Sequence, residues 1–311
     1  MRFIAAILTL CTLVFTTAPA SGALSSPFSQ KQPVSGHRPA PVPSEARYVR
    51  RPYASQLNPS RPLRTPVTPA PQPNCAAVCV IDPYNGNILY GYNANTRRQV
   101  ASTQKIITAL CVCDTGNLDK MVTIKASDRL APPIRLNLRA GEQYTRRELL
   151  QAMLTGSYND VAVSLARDCA GSVEAFVARM NARARRMRMY NTHFENPNGL
   201  PAQQYSTAYD MALAACYAYN NRTIRSMINI PAYEFRRNNG SVRMIRSTNR
   251  LLTSHPWVQG MKTGYTNLAG KCLISCASAN GRAVIVVVLG STSRKIWGES
   301  LKYLRWALQQ A

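Results

Sequence analysis

The pattern of apolar positions predicts strands near both ends of the folded region and helices between them. Residues 76–81 are apolar, residues 83–87 contain an Asn-Gly turn signal, and residues 88–90 are apolar again, so we expect a β-hairpin. A second strand pair is predicted at 271–278 and 283–289. The run 283–289 is continuously apolar, as a central strand buried on both faces should be.

The middle of the chain has helical spacing. Residues 102–112 are apolar almost all round after the first turn, which predicts a buried helix. Leu301, Leu304 and Leu308 predict an amphipathic helix over 299–310 that packs on the sheet. We therefore predict an α+β fold, with an antiparallel β-sheet covered by helices and a mostly helical second lobe. The other predicted helices are 147–155, 160–169, 171–189 and 206–219.

The N-terminal region predicts export. Residues 1–24 combine Arg2, a short apolar run and small-residue cleavage sites, which is typical of a signal peptide. An uncleaved anchor is the alternative, although the run is short for a membrane span. Residues 25–74 hold twelve prolines and many arginines with few large apolar side chains, so we interpret them as a disordered basic linker. Residues 75–311 remain as one domain.

The formal net charge of +24 favours polyanionic partners. With export, these are anionic wall polymers or a membrane surface. We find no basic motif interleaved with aromatic residues, and we predict no nucleic acid partner. The arginine cluster at 179–188 is interpreted as a solvated helix face. Eight cysteines follow the signal peptide; disulfides and buried free thiols both remain open. No Cys/His cluster suggests a metal, and no cofactor is predicted.

Three short motifs carry the chemistry: Ser102-Thr-Gln-Lys105, Ser157-Tyr-Asn159 and Lys262-Thr-Gly264. Each alone is weak, but the ordered trio, with gaps of 55 and 105 residues, is much more specific. Lys105 lies one helical turn after Ser102, which brings an amine to the hydroxyl. A serine hydroxyl needs a base to become nucleophilic, and burial makes a neutral lysine accessible.

The chain resembles the exported D-alanyl-D-alanine carboxypeptidases, the low-molecular-mass penicillin-binding proteins of serine type, whose fold is β-lactamase/transpeptidase-like. The resemblance runs from about 76 to 307, and its most specific stretches are 191–200 and 260–266. It implies hydrolysis of the terminal D-alanyl-D-alanine bond of peptidoglycan stem pentapeptides through an acyl-enzyme on Ser102. β-Lactams would be covalent inhibitors.

The resemblance also implies residue roles. Lys105 is the general base, and Ser157 relays protons to the leaving amine. Asn159 binds a substrate backbone amide, while Lys262 and Thr263 meet the terminal carboxylate. Gly264 lets the substrate approach the backbone closely. The backbone N–H groups of Ser102 and Tyr265 form the oxyanion hole. Tyr158 stands where glycine is more usual, so its bulk is expected to narrow the cleft, and Arg294 is a candidate for a carboxylate-binding arginine.

Two alternatives remain beside this interpretation. A DD-endopeptidase that cuts cross-links would use the same site, and a silent basic wall-binding protein would have lost its activity. A class A β-lactamase is disfavoured, because neither Glu174 nor Glu195 lies in a Glu-x-x-x-Asn loop suited to deacylation.

Many members of the family carry a C-terminal amphipathic anchor. We expect none here, and place the mature protein as a soluble one in the periplasm or cell wall.

Overall fold

The computed structural model describes residues 61–309, and its centre is a five-stranded antiparallel sheet in the order β2-β1-β9-β8-β7. Two small two-stranded sheets, β3–β4 and β5–β6, lie outside this sheet. The strands are β1 Ala77–Ile81, β2 Ile88–Tyr92, β3 Met121–Thr123, β4 Gln143–Thr145, β5 Ala232–Arg236, β6 Val242–Arg246, β7 Val258–Thr266, β8 Gly270–Ala279 and β9 Arg282–Ser291. The helices are α1 Lys105–Asp114, α2 Arg146–Gly156, α3 Asn159–Ala170, α4 Val173–Arg186, α5 Ala208–Asn220, α6 Arg222–Ile228, α7 Leu251–Ser254 and α8 Ile296–Leu308.

The two ends of the folded region meet in the sheet, as the hydrophobic pattern predicts. Strand β1 pairs with β9, and Cys79 lies opposite Val287. Alternate residues of β9 face opposite sides, because side chains alternate along a strand. Val286 belongs to the apolar cluster under α8, whereas Val287 belongs to the main core with α1 and α5. Burial on both faces explains why this strand is continuously apolar, and the predicted α+β class is confirmed.

The helical lobe is built around α1. Every residue from Lys105 to Val112 is buried, and α2, α3, α4 and α5 all pack against this helix. Helix α2 begins with a capping box. The Thr145 side chain accepts from the Glu148 N–H, and the Glu148 carboxylate accepts from the Thr145 N–H. Because these helices enclose α1, the buried Lys105 side chain at its N-terminal end has to find its hydrogen-bond partners inside the protein.

Residues 61–74, which the composition assigns to the linker, make specific contacts with α8 and the sheet. The indole N–H of Trp306 donates to the Thr68 carbonyl at 2.9 Å, and the Tyr303 hydroxyl donates to the Pro71 carbonyl at 2.9 Å. The Asn74 N–H donates to a Glu299 carboxylate oxygen at 2.7 Å. Side chains of α8 thus satisfy backbone groups of a segment with little apolar surface, so the expected disorder does not extend to these residues. The rest of the predicted linker and the signal peptide lie outside the described residues.

The eight cysteines within 61–309 are all free thiols, and most of them are buried. Over the same range, the side chains form no cluster of three or more potential metal ligands. None of the helices described has both the length and the apolar character needed to cross a bilayer.

Candidate active site

Ser102 lies in a 3-10 turn, Ala101–Gln104, that leads into α1. The sequence predicted that Ser102 would open the α-helix itself; instead the α-helix begins at Lys105. Ala101 has a left-handed φ of 49°, which sets Ser102 at the sharp entry to the helix. The Ser102 side chain is half-buried, whereas that of Lys105 is fully buried. The nucleophile is therefore reachable, and the amine beside it is closed off from solvent.

Lys105 is oriented by three partners. Its Nζ lies 2.8 Å from Ser102 Oγ, 2.8 Å from Asn159 Oδ1 and 2.5 Å from the Asn198 carbonyl oxygen. The last two oxygens can only accept hydrogen bonds. A neutral amine has two N–H groups and one lone pair, so the two acceptors take both N–H groups. The lone pair of the neutral amine is then left for the Ser102 hydroxyl, which in the structure accepts from Lys105 Nζ and donates to the Asn198 carbonyl and must turn toward Lys105 to give up its proton.

Both site lysines have lowered pKa values. Burial lowers the pKa of Lys105 well below its ordinary value, and the nearby charge of Lys262 lowers it further, while Asp160 opposes the shift. Burial also lowers the pKa of Lys262, to about 7. Lys105 can thus lose its proton at a lower pH than a solvent-exposed lysine, the direction that a general base requires.

The second and third motifs meet through a hydrogen bond. Lys262 Nζ donates to Ser157 Oγ at 2.8 Å and to the Thr263 carbonyl at 2.9 Å. Ser157 ends α2 in a left-handed conformation with φ 64°. This conformation is uncommon for serine and costs free energy. The C-terminus of α2 therefore aims the Ser157 hydroxyl at Lys262, and both side chains are almost fully buried.

Asn159 links the site to the segment 132–137. Its Nδ2 donates to the Pro133 carbonyl at 2.7 Å and to the Pro132 carbonyl at 3.3 Å. Its backbone N–H donates to the Ile134 carbonyl at 2.8 Å. Since the side-chain N–H groups are occupied, the group left to bind an amide N–H is Oδ1, which already accepts from Lys105 and has a second lone pair.

Strand β7 forms an edge of the sheet and carries the third motif beside Ser102. A Cβ added at Gly264 would lie 2.9 Å from the Ser102 backbone nitrogen, so only glycine allows this approach. Thr263 Oγ1 lies 2.6 Å from Thr248 Oγ1. Thr248 follows β6 and was not predicted. Tyr265, also on β7, is half-exposed and its ring stacks beneath Lys271 Nζ at 4.0 Å from the ring centre.

A backbone turn that no motif rule points to completes the site. The Asn198 carbonyl accepts from Ser102 Oγ at 3.1 Å as well as from Lys105. Gly199 follows with φ 84°, and a Cβ there would lie 2.3 Å from the Ala101 carbonyl oxygen. The Asn-Pro-Asn-Gly stretch was noted in the sequence only for its resemblance; its role here is to place one carbonyl against two catalytic candidates.

The expectation that Tyr158 narrows the cleft is wrong. The Tyr158 side chain is only 8% exposed and belongs to the main core. Its ring lies over Gly156, where an added Cβ would come within 2.3 Å of a ring carbon. Arg243 covers the other side, with its guanidinium 5.4 Å from the ring centre. The absence of a side chain at Gly156 gives the ring a place inside the protein.

Three further residues that the sequence raised are Arg294, Glu195 and Glu174. Arg294 is exposed in the turn between β9 and α8, and no hydrogen bond within 61–309 joins it to Thr263. Glu195 accepts from the Gln203 N–H at 2.9 Å. Glu174 lies fully exposed in the first turn of α4, where the backbone and Ser172 lower its pKa.

The β5–β6 hairpin braces the 132–137 segment from outside. Arg237 donates to the Leu136 carbonyl at 2.7 Å, and Arg243 donates to the same oxygen at 3.0 Å. The Leu136 N–H in turn donates to Asp160 Oδ1 at 3.0 Å. Two cations therefore hold, on one carbonyl, the segment that orients Asn159.

The fold and this site are those of a serine hydrolase. The chain belongs to the D-alanyl-D-alanine carboxypeptidase family, whose family model matches residues 65–293. It is 34% identical over 74% of its length to the D-alanyl-D-alanine carboxypeptidase DacF of Bacillus subtilis, of which it covers 61%. It is 33% identical over 73% of its length to a D-alanyl-D-alanine endopeptidase of Pseudomonas aeruginosa, of which it covers 75%. Among solved structures, the Streptomyces K15 DD-transpeptidase is similar, with a TM-score of 0.73, 30% identity and coverage of 78% of this chain and 100% of that one.

Proposed function

We propose that this protein hydrolyses the terminal D-alanyl-D-alanine bond of peptidoglycan stem pentapeptides through a covalent acyl-enzyme on Ser102. One observation carries the proposal. Lys105 Nζ lies 2.8 Å from Ser102 Oγ, in a buried position where its pKa is lowered and its other partners are fixed acceptors. A serine with such a base is suited to attack an amide or lactam carbonyl.

In the first step, Ser102 Oγ attacks the carbonyl carbon of the penultimate D-alanine while Lys105 takes the hydroxyl proton. The oxyanion is held by the N–H groups of Ser102 and Tyr265. The C–N bond then breaks, and the protonated Lys105 gives its proton through Ser157 to the leaving amine of the terminal D-alanine, which leaves Lys105 neutral again. In the second step, a water molecule gives its proton to Lys105, attacks the ester and releases the shortened peptide, and the proton returns to Ser102.

Substrate binding uses the edge of the sheet. Lys262 and Thr263 bind the terminal carboxylate, and burial makes the charge of Lys262 more effective than that of a surface lysine. The stem lies along β7 as an added strand, and Gly264 leaves room for its backbone. Asn159 Oδ1 accepts from an amide N–H of the substrate.

A DD-endopeptidase is the second candidate, favoured by the similar Pseudomonas aeruginosa protein that bears that name. Both activities would use the same serine and differ in what the cleft admits beyond the scissile bond. Digestion of purified cell wall separates them. Free D-alanine from pentapeptides supports the carboxypeptidase, whereas loss of dimeric muropeptides without D-alanine release supports the endopeptidase.

The direct test combines the wild type with Ser102→Ala. We expect the wild type to release D-alanine from a synthetic pentapeptide and to form a long-lived penicilloyl adduct on Ser102, seen by intact-protein mass spectrometry. Ser102→Ala should do neither. Rapid turnover of benzylpenicillin without an adduct would instead indicate a β-lactamase, and D-alanine release by Ser102→Ala would rule out this serine as nucleophile.

We further propose that residues 1–24 direct export, and that the basic segment 25–74 holds the mature enzyme on anionic wall polymers or headgroups. The charge excess of the sequence supports this. Retention of this kind weakens with salt. Cell fractionation at low and high salt should therefore release the protein at high salt, and membrane association that resists salt after signal cleavage would contradict the proposal.

A further inference from the structure

A cavity of about 460 Å³ is lined in part by Asp160, the residue that follows Asn159 in α3. Its lining comes from the 3-10 turn Ala126–Leu130, the segment 132–137 and the start of α3. The last of these elements carries Asn159, whose side chain contacts Lys105. The cavity therefore shares two elements, the segment 132–137 and the start of α3, with the contacts that hold Asn159 against Lys105. The lining residues are Ala126, Arg129, Leu130, Arg135, Asn137 and Asp160.

The charge of the cavity is positive after its acid is accounted for. Asp160 accepts from the N–H groups of Leu136, Asn137 and Val161 at 3.0, 2.9 and 3.0 Å, so its carboxylate is already satisfied by the backbone. Arg129 and Arg135 form no ion pair with any residue in 61–309. Two guanidinium groups thus line the space without an ion-pair partner, and together with the Asp160 carboxylate they leave the lining with a net charge of +1.

The arginines are held at the cavity. Arg135 donates from its guanidinium to the Arg129 carbonyl at 2.9 Å, which keeps the two residues together. The turn that carries Arg129 is anchored by Asp128, whose carboxylate binds the Arg167 guanidinium at 2.7 Å. Leu130 adds an apolar surface that is 81% exposed. The combination suits a side chain with an aliphatic stem and an anionic end.

We propose that this cavity is a subsite for the side-chain carboxylate of a stem-peptide residue upstream of the scissile bond, with Arg129 and Arg135 as its specificity-determining residues. The inference rests on the proposed function. The terminal carboxylate is assigned to Lys262 and Thr263, so the space beside Asn159 is left for the part of the stem before the D-alanine pair. Arginine suits this task, because its planar fork matches a carboxylate.

The test uses two synthetic pentapeptides that end in D-alanyl-D-alanine and differ at one upstream side chain, a carboxylate in one and a carboxamide in the other. We expect the wild type to prefer the carboxylate peptide about three- to ten-fold in kcat/KM, mostly through KM, since both arginines are exposed. Arg129→Gln should lose this preference, and Arg129→Lys should keep part of it. Penicillin acylation should change less than about two-fold in each, because it does not use this subsite.

Arg139→Gln is the matched control, because Arg139 is an exposed arginine two residues after the segment 132–137 and does not line the cavity. It should leave the preference intact. Equal rates on both peptides in the wild type, or an unchanged preference in Arg129→Gln, would overturn the subsite. A wild type that releases D-alanine from neither peptide would instead overturn the proposed function, so the two failures are distinguishable.

Discussion

The sheet face under α8 and the active-site cleft both contain fully buried side chains, but those side chains are apolar under α8 and charged or polar in the cleft. Under α8, Val286, Tyr303 and Leu304 are fully buried in an apolar cluster. In the cleft, Lys105 and Lys262 are buried to the same degree among hydroxyl, amide and carbonyl groups. Removing apolar surface from water stabilises the first region, whereas removing an ammonium group from water destabilises the second.

The contrast shows that the active site lowers the stability of the fold in return for chemical function. Burial of a lysine ammonium group lowers the free energy of unfolding. The same burial lowers the pKa of the amine, which makes its neutral, basic form easier to reach. The hydrogen bonds of the cleft therefore serve orientation. The α8 face has no such task, and its substitutions should change stability without changing chemistry.

Lys105→Arg should produce the largest effect. Arginine keeps the positive charge but is effectively never deprotonated, so the base is lost. We expect acylation of Ser102 by benzylpenicillin to fall by at least about a thousand-fold. Stopped-flow or mass-spectrometric rates measure this directly.

Lys120→Arg is the control for that change, since Lys120 is exposed and pairs with Asp168 on the surface. It should acylate at the wild-type rate. Near-normal labelling of Lys105→Arg would remove Lys105 from the base role and leave it as a structural charge.

Leu304→Ala should be the largest effect on stability. Leu304 is fully buried between α8 and the sheet, and its truncation leaves a cavity in a well-packed cluster. We expect the free energy of unfolding to fall by about 3 kcal/mol, with acylation of the folded protein unchanged. Chemical denaturation and penicillin labelling at low temperature provide both values. Slower acylation of the folded variant would contradict the claim that the α8 face affects stability alone.

Lys262→Met should raise stability while it slows acylation. The native pKa of Lys262 is about 7, below its ordinary 10.5, so between these values the unfolded chain binds more protons than the native one. Unfolding free energy in the wild type therefore rises with pH over this window. Removal of the amine should flatten that slope and add about 1–3 kcal/mol at pH 7. Equilibrium denaturation at pH 7 and pH 9 tests both statements, and a less stable variant at pH 7 would contradict them.

Arg243→Gln should have the smallest effect. It removes one of the two cations that hold the Leu136 carbonyl and exposes the Tyr158 ring, but Arg237 remains on the same oxygen. We expect acylation to slow about three- to ten-fold through poorer orientation of Asn159.

Arg246→Gln, an exposed arginine on the same strand, is the control and should have no effect on rate. If Arg243→Gln lowers the melting temperature but leaves the acylation rate at the wild-type value, Arg243 supports the fold and does not position the site.

Much of the fold was predictable because long periodic segments dominate it. The doubly buried strand β9, the enclosed helix α1 and the meeting of the chain's two ends all follow from patterns that burial imposes. The two-stranded sheets β3–β4 and β5–β6 and helix α6 were missed, since short elements with mixed polarity leave little periodic signal.

The candidate site was predictable in its side chains but not in its backbone. The family and the fold were confirmed by the comparisons, and the residue roles stay predictions. The Asn198 carbonyl had no sequence signal, because every residue has a carbonyl and only the fold aims it. The position of Tyr158 depends on a missing side chain two residues earlier, at Gly156. Thr248 meets Thr263 from a separate element, a juxtaposition that spacing along the chain does not reveal.

The central claim is that two buried lysines divide the work, Lys105 as a base that must lose its proton and Lys262 as a charge that must keep one. The pH dependence of kcat/KM for D-alanine release tests it most directly. The account predicts a rise with pH through an apparent pKa well below 10.5, and a fall near pH 7 that disappears in Lys262→Arg because arginine keeps its charge. A rate that keeps rising to the ordinary lysine pKa, or a fall that persists in Lys262→Arg, would contradict it.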